Sequence, residues 1–320
     1  MALSSDSKTQ WGWAMYDWAN SSYSLVISTA IFPIYYAAVM DGVGKMNFPF
    51  FGGDISTTAA YTFVVAAAFL TISLITPYLS ALSEISGKKK SFMRAFIYCG
   101  SMACAGMFFF TESTMWWGLL SPYLASLCFS GSLVFYNSYL PEIAKIEDQD
   151  SLSARGFALG YLGSSLVLIA SLVFIQNPDW LGISDVALVT RLSFVFVGIW
   201  WLCWGEFALY RLPQGVSILI EKNKGYVRES YLRLFLVFKE FNKINGLNRF
   251  LLGFFFASAG VQTVILIASL FGTKVLGLDS SSLILTILLI QFVAILGSWL
   301  FAKLSETYGN IRSLILASAL

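Results

Sequence analysis

The sequence predicts an all-helical integral membrane protein, and three observations lead to this fold class. Only 12% of the 320 residues are charged, whereas soluble globular domains are about 25% charged. The mean hydropathy is +0.72. Apolar runs of about 20 residues, the length of helix that crosses a bilayer, recur along the chain. Together they indicate a bundle of membrane-spanning helices.

Eight complete spans are predicted in chain order. Each is predominantly apolar and is bounded by polar or charged loop residues. The predicted spans are 17–40, 57–82, 92–111, 115–140, 156–176, 188–210, 248–271 and 281–302. A ninth begins near residue 311, and the ten residues from there to residue 320 are too few to cross a membrane. We therefore expect a bundle that is truncated at its C-terminal side.

The distribution of basic residues predicts the orientation of the bundle. Cytoplasmic loops of membrane proteins carry an excess of lysine and arginine. With a cytoplasmic N-terminus, seventeen of the twenty basic residues lie on the cytoplasmic side. The three on the other side are Lys45, Arg191 and Lys274. The opposite orientation would require these seventeen basic residues to be translocated across the membrane.

The longest loop divides the chain into two parts. Residues 1–210 are predicted to form an N-terminal bundle of six helices, and residues 248–320 the start of a C-terminal bundle. Between them, residues 211–247 form a cytoplasmic linker with five apolar residues at helical spacing: Tyr231, Leu234, Phe235, Phe238 and Phe241. The spacing predicts an amphipathic helix on the membrane surface, attracted to anionic lipid. A regulatory or partner-binding role is the alternative.

The first span carries a polar stripe. Its residues share one face of an α-helix, and they are Asp17, Asn20, Ser21, Ser24 and Ser28. Polar groups facing lipid are costly, so the stripe should face a bundle interior or an aqueous cavity. Hydrogen bonding between helices explains the serines equally well. Asp17 and Asn20 favour a functional role, and Asp17 could be a gate, a helix cap or a proton site.

Two other spans carry weaker polar stripes. The fourth has Tyr123, Ser126, Ser130 and Asn137, and the seventh has Ser258, Gln262 and Ser269. The first, fourth and seventh spans are three apart in the series. In a bundle built from repeats, such spans are candidates to line one solute cavity.

Composition excludes several other classes of protein. There is no histidine, so histidine catalysis and histidine metal sites are excluded, and proton coupling would need a carboxylate. Basic residues are scattered over short loops, which gives no indication of nucleic-acid binding. The four cysteines all lie in apolar spans and are expected to be small buried hydrophobes. We expect no metal and no cofactor.

One loop motif occurs twice. Residues 82–90 (LSEISGKKK) follow the second span, and residues 304–312 (LSETYGNIR) follow the eighth. The shared pattern is Leu-Ser-Glu-x-x-Gly-x-x-Lys/Arg, and its two positions are equivalent if the chain is a pair of six-span halves. Internal repeats of this kind are typical of secondary transporters.

The motif offers a physical role in gating. Its glutamate can cap a helix or pair with a basic residue of a neighbouring span, and its glycine permits a tight turn. We predict that Glu84, Gly87, Lys88 and Arg94 form a cytoplasmic latch. Glu306 and Gly309 are the corresponding residues of the second copy.

The two loops resemble the signature motif of the major facilitator superfamily, G-x-L-x-D-r-x-G-r-k. Glu84 and Glu306 stand at its Asp, and Gly87 and Gly309 at its second Gly. A narrower resemblance, to the autophagy-type vacuole effluxer branch and its bacterial relatives, rests on four segments: 13–22 (WAMYDWANSS), 139–144 (YLPEIA), 156–163 (GFALGYLG) and 260–263 (GVQT). Ala259 departs from the Asp expected before Gly260. The superfamily normally has twelve spans.

The resemblance implies a monomeric secondary transporter in a bacterial inner membrane that works by alternating access, with a proton as candidate coupling ion. Fungal members are associated with amino-acid export, so a small solute of that kind is expected. We predict that it contacts Asn20, Tyr23, Asn137 and Gln262, with Asp17 in gating or proton coupling. The alternatives are a non-transporting fragment or sensor, and, more remotely, a membrane enzyme acting on lipid-linked substrates.

Overall fold

A computed structural model describes residues 6–48, 53–215, 226–241, 243–244 and 246–319. These residues form a helical bundle with one small hairpin. The helices are α1 (Ser7–Ser22), α2 (Phe32–Val39), α3 (Thr57–Ser86), α4 (Lys89–Gly106), α5 (Trp117–Ile143), α6 (Ile146–Gln176), α7 (Val186–Arg211), α8 (Tyr226–Phe241), α9 (Leu247–Lys274), α10 (Ser280–Tyr308) and α11 (Asn310–Ala319). The all-helical membrane fold class is therefore confirmed.

Seven helical stretches of the described chain are long and apolar enough to cross a membrane. They are Ser7–Val39, Thr57–Ser86, Lys89–Phe109, Trp117–Ile143, Ile146–Gln176, Val186–Arg211 and Leu285–Tyr308. They coincide with the first six predicted spans and the eighth. The seventh predicted span, 248–271, lies within the 28-residue helix α9, and the short ninth corresponds to α11.

Capping residues are found at the ends of several helices. Side-chain oxygens of Ser56, Asp185 and Asp279 cap the first turns of α3, α7 and α10. Such caps satisfy backbone N–H groups that have no partner inside the helix. α3 ends at Gly87, which has a left-handed φ of +67°. Glycine adopts this conformation without the steric cost that a Cβ would impose.

The first span is not a regular α-helix. Between α1 and α2, residues Tyr23–Ile31 form a π-helix. A π-helical turn shifts the positions of all later side chains around the axis. Asp17 and Asn20, which precede this segment, are buried, whereas Ser21 before it and Ser24 and Ser28 within it are only partly buried. The predicted stripe assumed 3.6 residues per turn throughout, so its helical spacing does not hold beyond Ser22.

The first six spans pack around α1 and α4. α1 packs chiefly against α6 and α7, while α4 packs against α5 and α7, and α3 packs against α5. α10 joins this bundle through α6, and α8 lies along α3. The main contact between the first six spans and the later helices is thus the α6–α10 pair.

A short antiparallel hairpin follows α2. Lys45–Phe48 pairs with Gly53–Ser56, a feature that the all-helical prediction omitted. Next to it, the Tyr36 hydroxyl donates a hydrogen bond of 3.0 Å to the Thr57 carbonyl. The hairpin therefore lies at the end of the bundle where α2 meets α3.

Two of the four cysteines do not match the prediction of burial. Cys104 and Cys128 are buried, but Cys99 and Cys203 are exposed on the outer surface of α4 and α7. A membrane-spanning bundle has an apolar exterior, so an apolar residue in a span can face either the interior or lipid. Hydropathy alone does not distinguish the two.

Candidate functional site

A carboxylate lies buried inside the first span. Asp17 on α1 is 7% exposed, and its Oδ2 accepts a hydrogen bond of 2.8 Å from the Tyr136 hydroxyl of α5. Ionisable groups within membrane spans are costly and usually face the bundle interior, where they find a partner. Asp17 and Tyr136 together form the centre of the candidate site.

Glycines of α6 make room for this pair. A Cβ on Gly156 would lie 2.6 Å from Asp17 Oδ2 and 3.1 Å from the Tyr136 hydroxyl. One turn further, a Cβ on Gly160 would lie 2.5 Å from Ser21 Oγ. The glycine-rich opening of the fifth span therefore permits close packing of α6 on α1, as small residues do between membrane helices. It also forms one wall of the carboxylate site.

Aromatic side chains fix the position of Tyr136. The indole of Trp13 stacks on the Tyr136 ring at a centroid distance of 4.3 Å, and Trp13 Nε1 donates a hydrogen bond of 2.9 Å to the Tyr136 carbonyl. The Tyr16 ring lies 5.1 Å from the Tyr136 ring. Buried aromatic pairs of this kind restrain a side chain beyond their apolar burial alone. The hydroxyl is thereby directed at Asp17.

Asn20 lies one turn from Asp17 and is 2% exposed. Its Oδ1 accepts a hydrogen bond of 3.4 Å from Ser21 Oγ. Its side chain also lies near that of Tyr16, but its Nδ2 makes no hydrogen bond of regular geometry within the described residues. A buried donor without a partner costs about 1–3 kcal/mol. Such groups are few in folded proteins, and each one calls for an explanation.

The other predicted solute-contact residues lie in different environments. Tyr23 is buried, and its hydroxyl shares a hydrogen bond of 2.8 Å with Ser126 Oγ. Asn137 on α5 and Gln262 on α9 are exposed. In the described part of the chain no hydrogen bond joins any two of Asn20, Tyr23, Asn137 and Gln262. This conformation therefore does not gather the four into one site.

The first copy of the loop motif does not form the predicted cluster. Arg94 Nε bonds Glu206 Oε1 at 2.8 Å, which links α4 to α7, and it makes no ion pair with Glu84. Glu84 and Lys88 are exposed. Within the described residues Glu84 has no hydrogen-bond or ion-pair partner. The four residues predicted to form a latch are therefore not joined by a Glu84–Arg94 ion pair in this conformation, and the latch stays a prediction.

The lysines next to the motif hold neighbouring segments instead. Lys89 Nζ pairs with Glu142 at the end of α5. Lys90 Nζ donates a hydrogen bond of 3.0 Å to the Leu212 carbonyl, and the Tyr139 hydroxyl donates one of 3.1 Å to the Pro213 carbonyl. These bonds fix the chain leaving α7 across the ends of α4 and α5. This contact was not predictable from the sequence, because Leu212 and Pro213 are more than 70 residues away along the chain from Lys90 and Tyr139.

The second copy shares part of the backbone geometry of the first. Gly309 has a φ of +83°, and its N–H bonds the Ser305 carbonyl, as the Gly87 N–H bonds the Ser83 carbonyl. The ψ angles differ, 157° at Gly309 and 13° at Gly87, so the chain leaves the two helices in different directions. The Ser305 hydroxyl also lies 2.8 Å from Asp150 Oδ2 on α6. The second copy therefore connects α10 to the first six spans.

Two cavities lie beside α10. One, of about 430 Å³ between α6 and α10, is lined by three charged residues, Arg155, Lys303 and Glu306. The other, of about 490 Å³ between α9 and α10, is almost wholly apolar. No group of three or more acidic or cysteine side chains suited to a metal ion occurs among the residues the structure describes. The chemistry available is that of hydrogen bonding, charge pairing and proton transfer.

Tyr136, Trp13 and Gly156 belong to the site but were not predicted as site residues. The stripe assigned to the fourth span included Asn137, which is exposed, instead of its neighbour Tyr136, which is buried. The row Ser121, Cys128, Ser132, Tyr136 and Tyr139 is the buried face of α5. Its helical spacing was available in the sequence, but tyrosine in a span is also common at membrane interfaces.

Comparison with known proteins agrees with these features. The family model described as "Vacuole effluxer Atg22 like" matches residues 5–149 and 142–320. An uncharacterized MFS-type transporter of Bacillus subtilis, YxiO, is 32% identical over 310 residues, covering 94% of this chain and 68% of that protein. Autophagy-related protein 22 of Eremothecium gossypii is 20% identical over 344 residues, covering 94% of this chain and 66% of that protein.

The multi-span helical fold and these similarities define a transporter of the MFS type. The chain belongs to the Atg22-like vacuole effluxer family. The resemblance inferred from the motifs is thereby confirmed. The chain spans about two thirds of the length of the two relatives named.

Proposed function

We propose that this protein is a secondary active transporter that moves a small solute across the membrane by alternating access. The solute would bind between two helical halves. The observation that carries the proposal is the buried Asp17 carboxylate of the first span, held by Tyr136 and walled by Gly156. An intramembrane carboxylate has a high desolvation cost and indicates a functional site by default. Membership of an MFS-type family supports the same class of activity.

Asp17 is the proposed proton-coupling group. In its ionised form it accepts the hydrogen bond from Tyr136. When protonated, it loses its charge and gains an O–H donor, while its other oxygen can still accept from Tyr136. The hydrogen bond from Tyr136 is then weaker than one to a charged acceptor, and the new O–H needs an acceptor of its own. Because α1 and α5 meet at this bond, protonation changes the contact between two helices of the first half. The sequence has no histidine that could serve instead.

Asn20, Tyr23, Asn137 and Gln262 are the proposed solute contacts. The unpaired Nδ2 of Asn20 supports a site that changes its partners during the cycle, because a buried unpaired donor is unfavourable in one fixed state. Asn137 and Gln262 are exposed and free to contact a solute. The name of the family suggests export, and amino acids are the proposed solutes.

The loop motif is the proposed gating element. Gly87 and Gly309 end α3 and α10 with a positive φ, and Ser305 connects α10 to α6. Glu84, Lys88 and Glu306 are exposed at these turns and are available to pair when the halves move. Arg94, which pairs with Glu206 in this conformation, is the proposed partner in another. The proposed orientation has this end of the bundle, and the N-terminus, in the cytoplasm of a bacterial cell, and the excess of lysine and arginine in these loops supports it.

The experiment that tests the proposal is transport by the purified protein in proteoliposomes. Radiolabelled amino acids would be supplied individually, and uptake would be compared in vesicles with and without an imposed pH gradient. We expect at least one amino acid to move faster than in protein-free vesicles and to respond to the gradient. The isosteric variant Asp17→Asn should lose the response to the gradient. No protein-dependent flux of any amino acid would refute the proposed solute class.

A further inference from the structure

Helix α8 has an unusual surface for a linker. Tyr226–Phe241 forms a single helix that packs along α3, where the Tyr231 and Tyr78 rings lie 5.5 Å apart. Tyr78 is eight residues from the end of α3 at Ser86, which is about 12 Å along a helix axis. The part of α8 around Tyr231 therefore lies beside a membrane-spanning helix, about 12 Å along the axis from the end of that helix.

The exposed side of α8 is largely apolar. Leu232, Phe235 and Leu236 are 47%, 68% and 57% exposed. The adjacent surface of α3 is also apolar, with Leu70 and Leu74 at 61% and 73%. α3 has the length and hydropathy of a membrane span. The exposed apolar surface of α8 thus continues an exposed apolar surface of a membrane-spanning helix.

Basic residues extend the same row. Leu232, Leu236 and Lys239 follow one another at spacings of four and three, so they lie on one side of α8. Lys243 follows in the turn just after the helix ends at Phe241. Both lysines are exposed, and Lys243 pairs with Glu240 on the surface. Exposed pairs of this kind are weak, so Lys243 remains available to another anion. Residues 211–249 contain eight basic and three acidic residues, so the segment is positive.

We propose that α8 docks on the surface of a bilayer that contains anionic phospholipid, with Leu232 and Leu236 in the interfacial region and Lys239 and Lys243 at the phosphates. Apolar insertion combined with basic side chains is the chemistry by which interfacial helices bind membranes. The apolar row and its continuity with α3 set the depth of the helix. The lysines confer the preference for anionic lipid. Proton or solute movement plays no part in this docking.

Backbone hydrogen exchange of the whole protein in lipid nanodiscs tests the proposal. The protein would be placed in discs of phosphatidylcholine alone and in discs with three parts in ten of phosphatidylglycerol. Each lysine near an anionic surface should slow exchange of the α8 amides by about fivefold. Lys239→Gln/Lys243→Gln should remove this slowing, and 0.5 M salt should weaken it. The amides of α4 report in the same experiment that the bundle is folded.

A matched variant controls for total charge. Lys8→Gln/Lys145→Gln removes two exposed lysines from outside α8 and should leave the lipid dependence unchanged. Leu232→Ser/Leu236→Ser should speed exchange of α8 in both lipids, because it removes apolar insertion. Equal exchange of α8 in neutral and anionic discs would overturn the proposal and leave contact with α3 as the basis of its position. The proposal would also be overturned if Lys239→Gln/Lys243→Gln and Lys8→Gln/Lys145→Gln reduced the lipid dependence of α8 exchange equally.

Discussion

Substitution of Gly156 by alanine tests the geometry of the carboxylate site. The added Cβ would lie 2.6 Å from Asp17 Oδ2, and Cβ atoms essentially never approach a heavy atom within 3.0 Å. The carboxylate must therefore move, and its hydrogen bond with Tyr136 must lengthen or bend. Overpacking of a close interface costs about 1–3 kcal/mol. Weakening a hydrogen bond to a charged group adds to this destabilisation. The higher helix propensity of alanine offsets it by up to about 1 kcal/mol.

We expect a net loss of about 1–3 kcal/mol in the free energy of unfolding, measured by titration with denaturing detergent in mixed micelles. Gly297→Ala is the matched control, since Gly297 also lies in a membrane helix and its Cβ would have no neighbour within 4 Å. It should be neutral or stabilising by up to about 1 kcal/mol.

A double-mutant cycle identifies the cause of the loss. Asp17→Ala removes the Oδ2 atom with which the new methyl group collides. Residues in direct contact show interaction energies of about 0.5–3 kcal/mol in such cycles. The cost of Gly156→Ala should therefore fall by about 1 kcal/mol or more in the Asp17→Ala background. An unchanged cost would show that Asp17 does not lie against Gly156, and the description of the site would be refuted.

Three further substitutions follow from the contacts described. Tyr136→Phe leaves Asp17 buried without its donor and should cost about 1.5–3 kcal/mol of unfolding free energy in the same titration; no loss would mean that the carboxylate has another partner. Arg94→Gln breaks the pair with Glu206, whose side chains are 40% and 34% exposed, so the loss should stay below about 1 kcal/mol. Gly87→Ala places a Cβ at a φ of +67° and should cost about 1–2 kcal/mol, whereas a neutral result would indicate that the turn relaxes.

The positions and order of seven spans could be predicted from the sequence, because each span rests on a local property. Hydropathy over about 20 residues decides whether a segment can cross a membrane. The glycine turn at Gly87 was also predictable, since a helix that ends in a left-handed residue strongly favours glycine. The amphipathic helix α8 was apparent from residue spacing alone.

The partners of the charged residues could not be predicted. Arg94 was assigned to the loop-motif latch without a named partner, and in the structure it pairs with Glu206 on α7. Which carboxylate lies near Arg94 depends on how α4 and α7 pack, and hydropathy does not determine helix packing. The same limit explains why Asp17 was identified as functional while its partner Tyr136 was missed.

The π-helical segment was also absent from the sequence-based prediction, but for a different reason. Its sequence, Tyr23–Ile31, reads as an ordinary apolar helix. The segment follows directly after the buried Asp17 and Asn20, and π-helical segments frequently mark functional sites. The shift it introduces separates the buried polar residues of α1 from Ser24 and Ser28. Only the backbone geometry shows that the predicted stripe has two parts.

The most direct test of proton coupling through Asp17 is accumulation of a transported amino acid against its own gradient in proteoliposomes. A pH gradient should drive accumulation by the wild-type protein. Asp17→Asn should abolish this accumulation while still exchanging labelled for unlabelled solute at equal concentrations, because the solute contacts remain. Undiminished accumulation by Asp17→Asn would contradict the assignment of Asp17 as the coupling group.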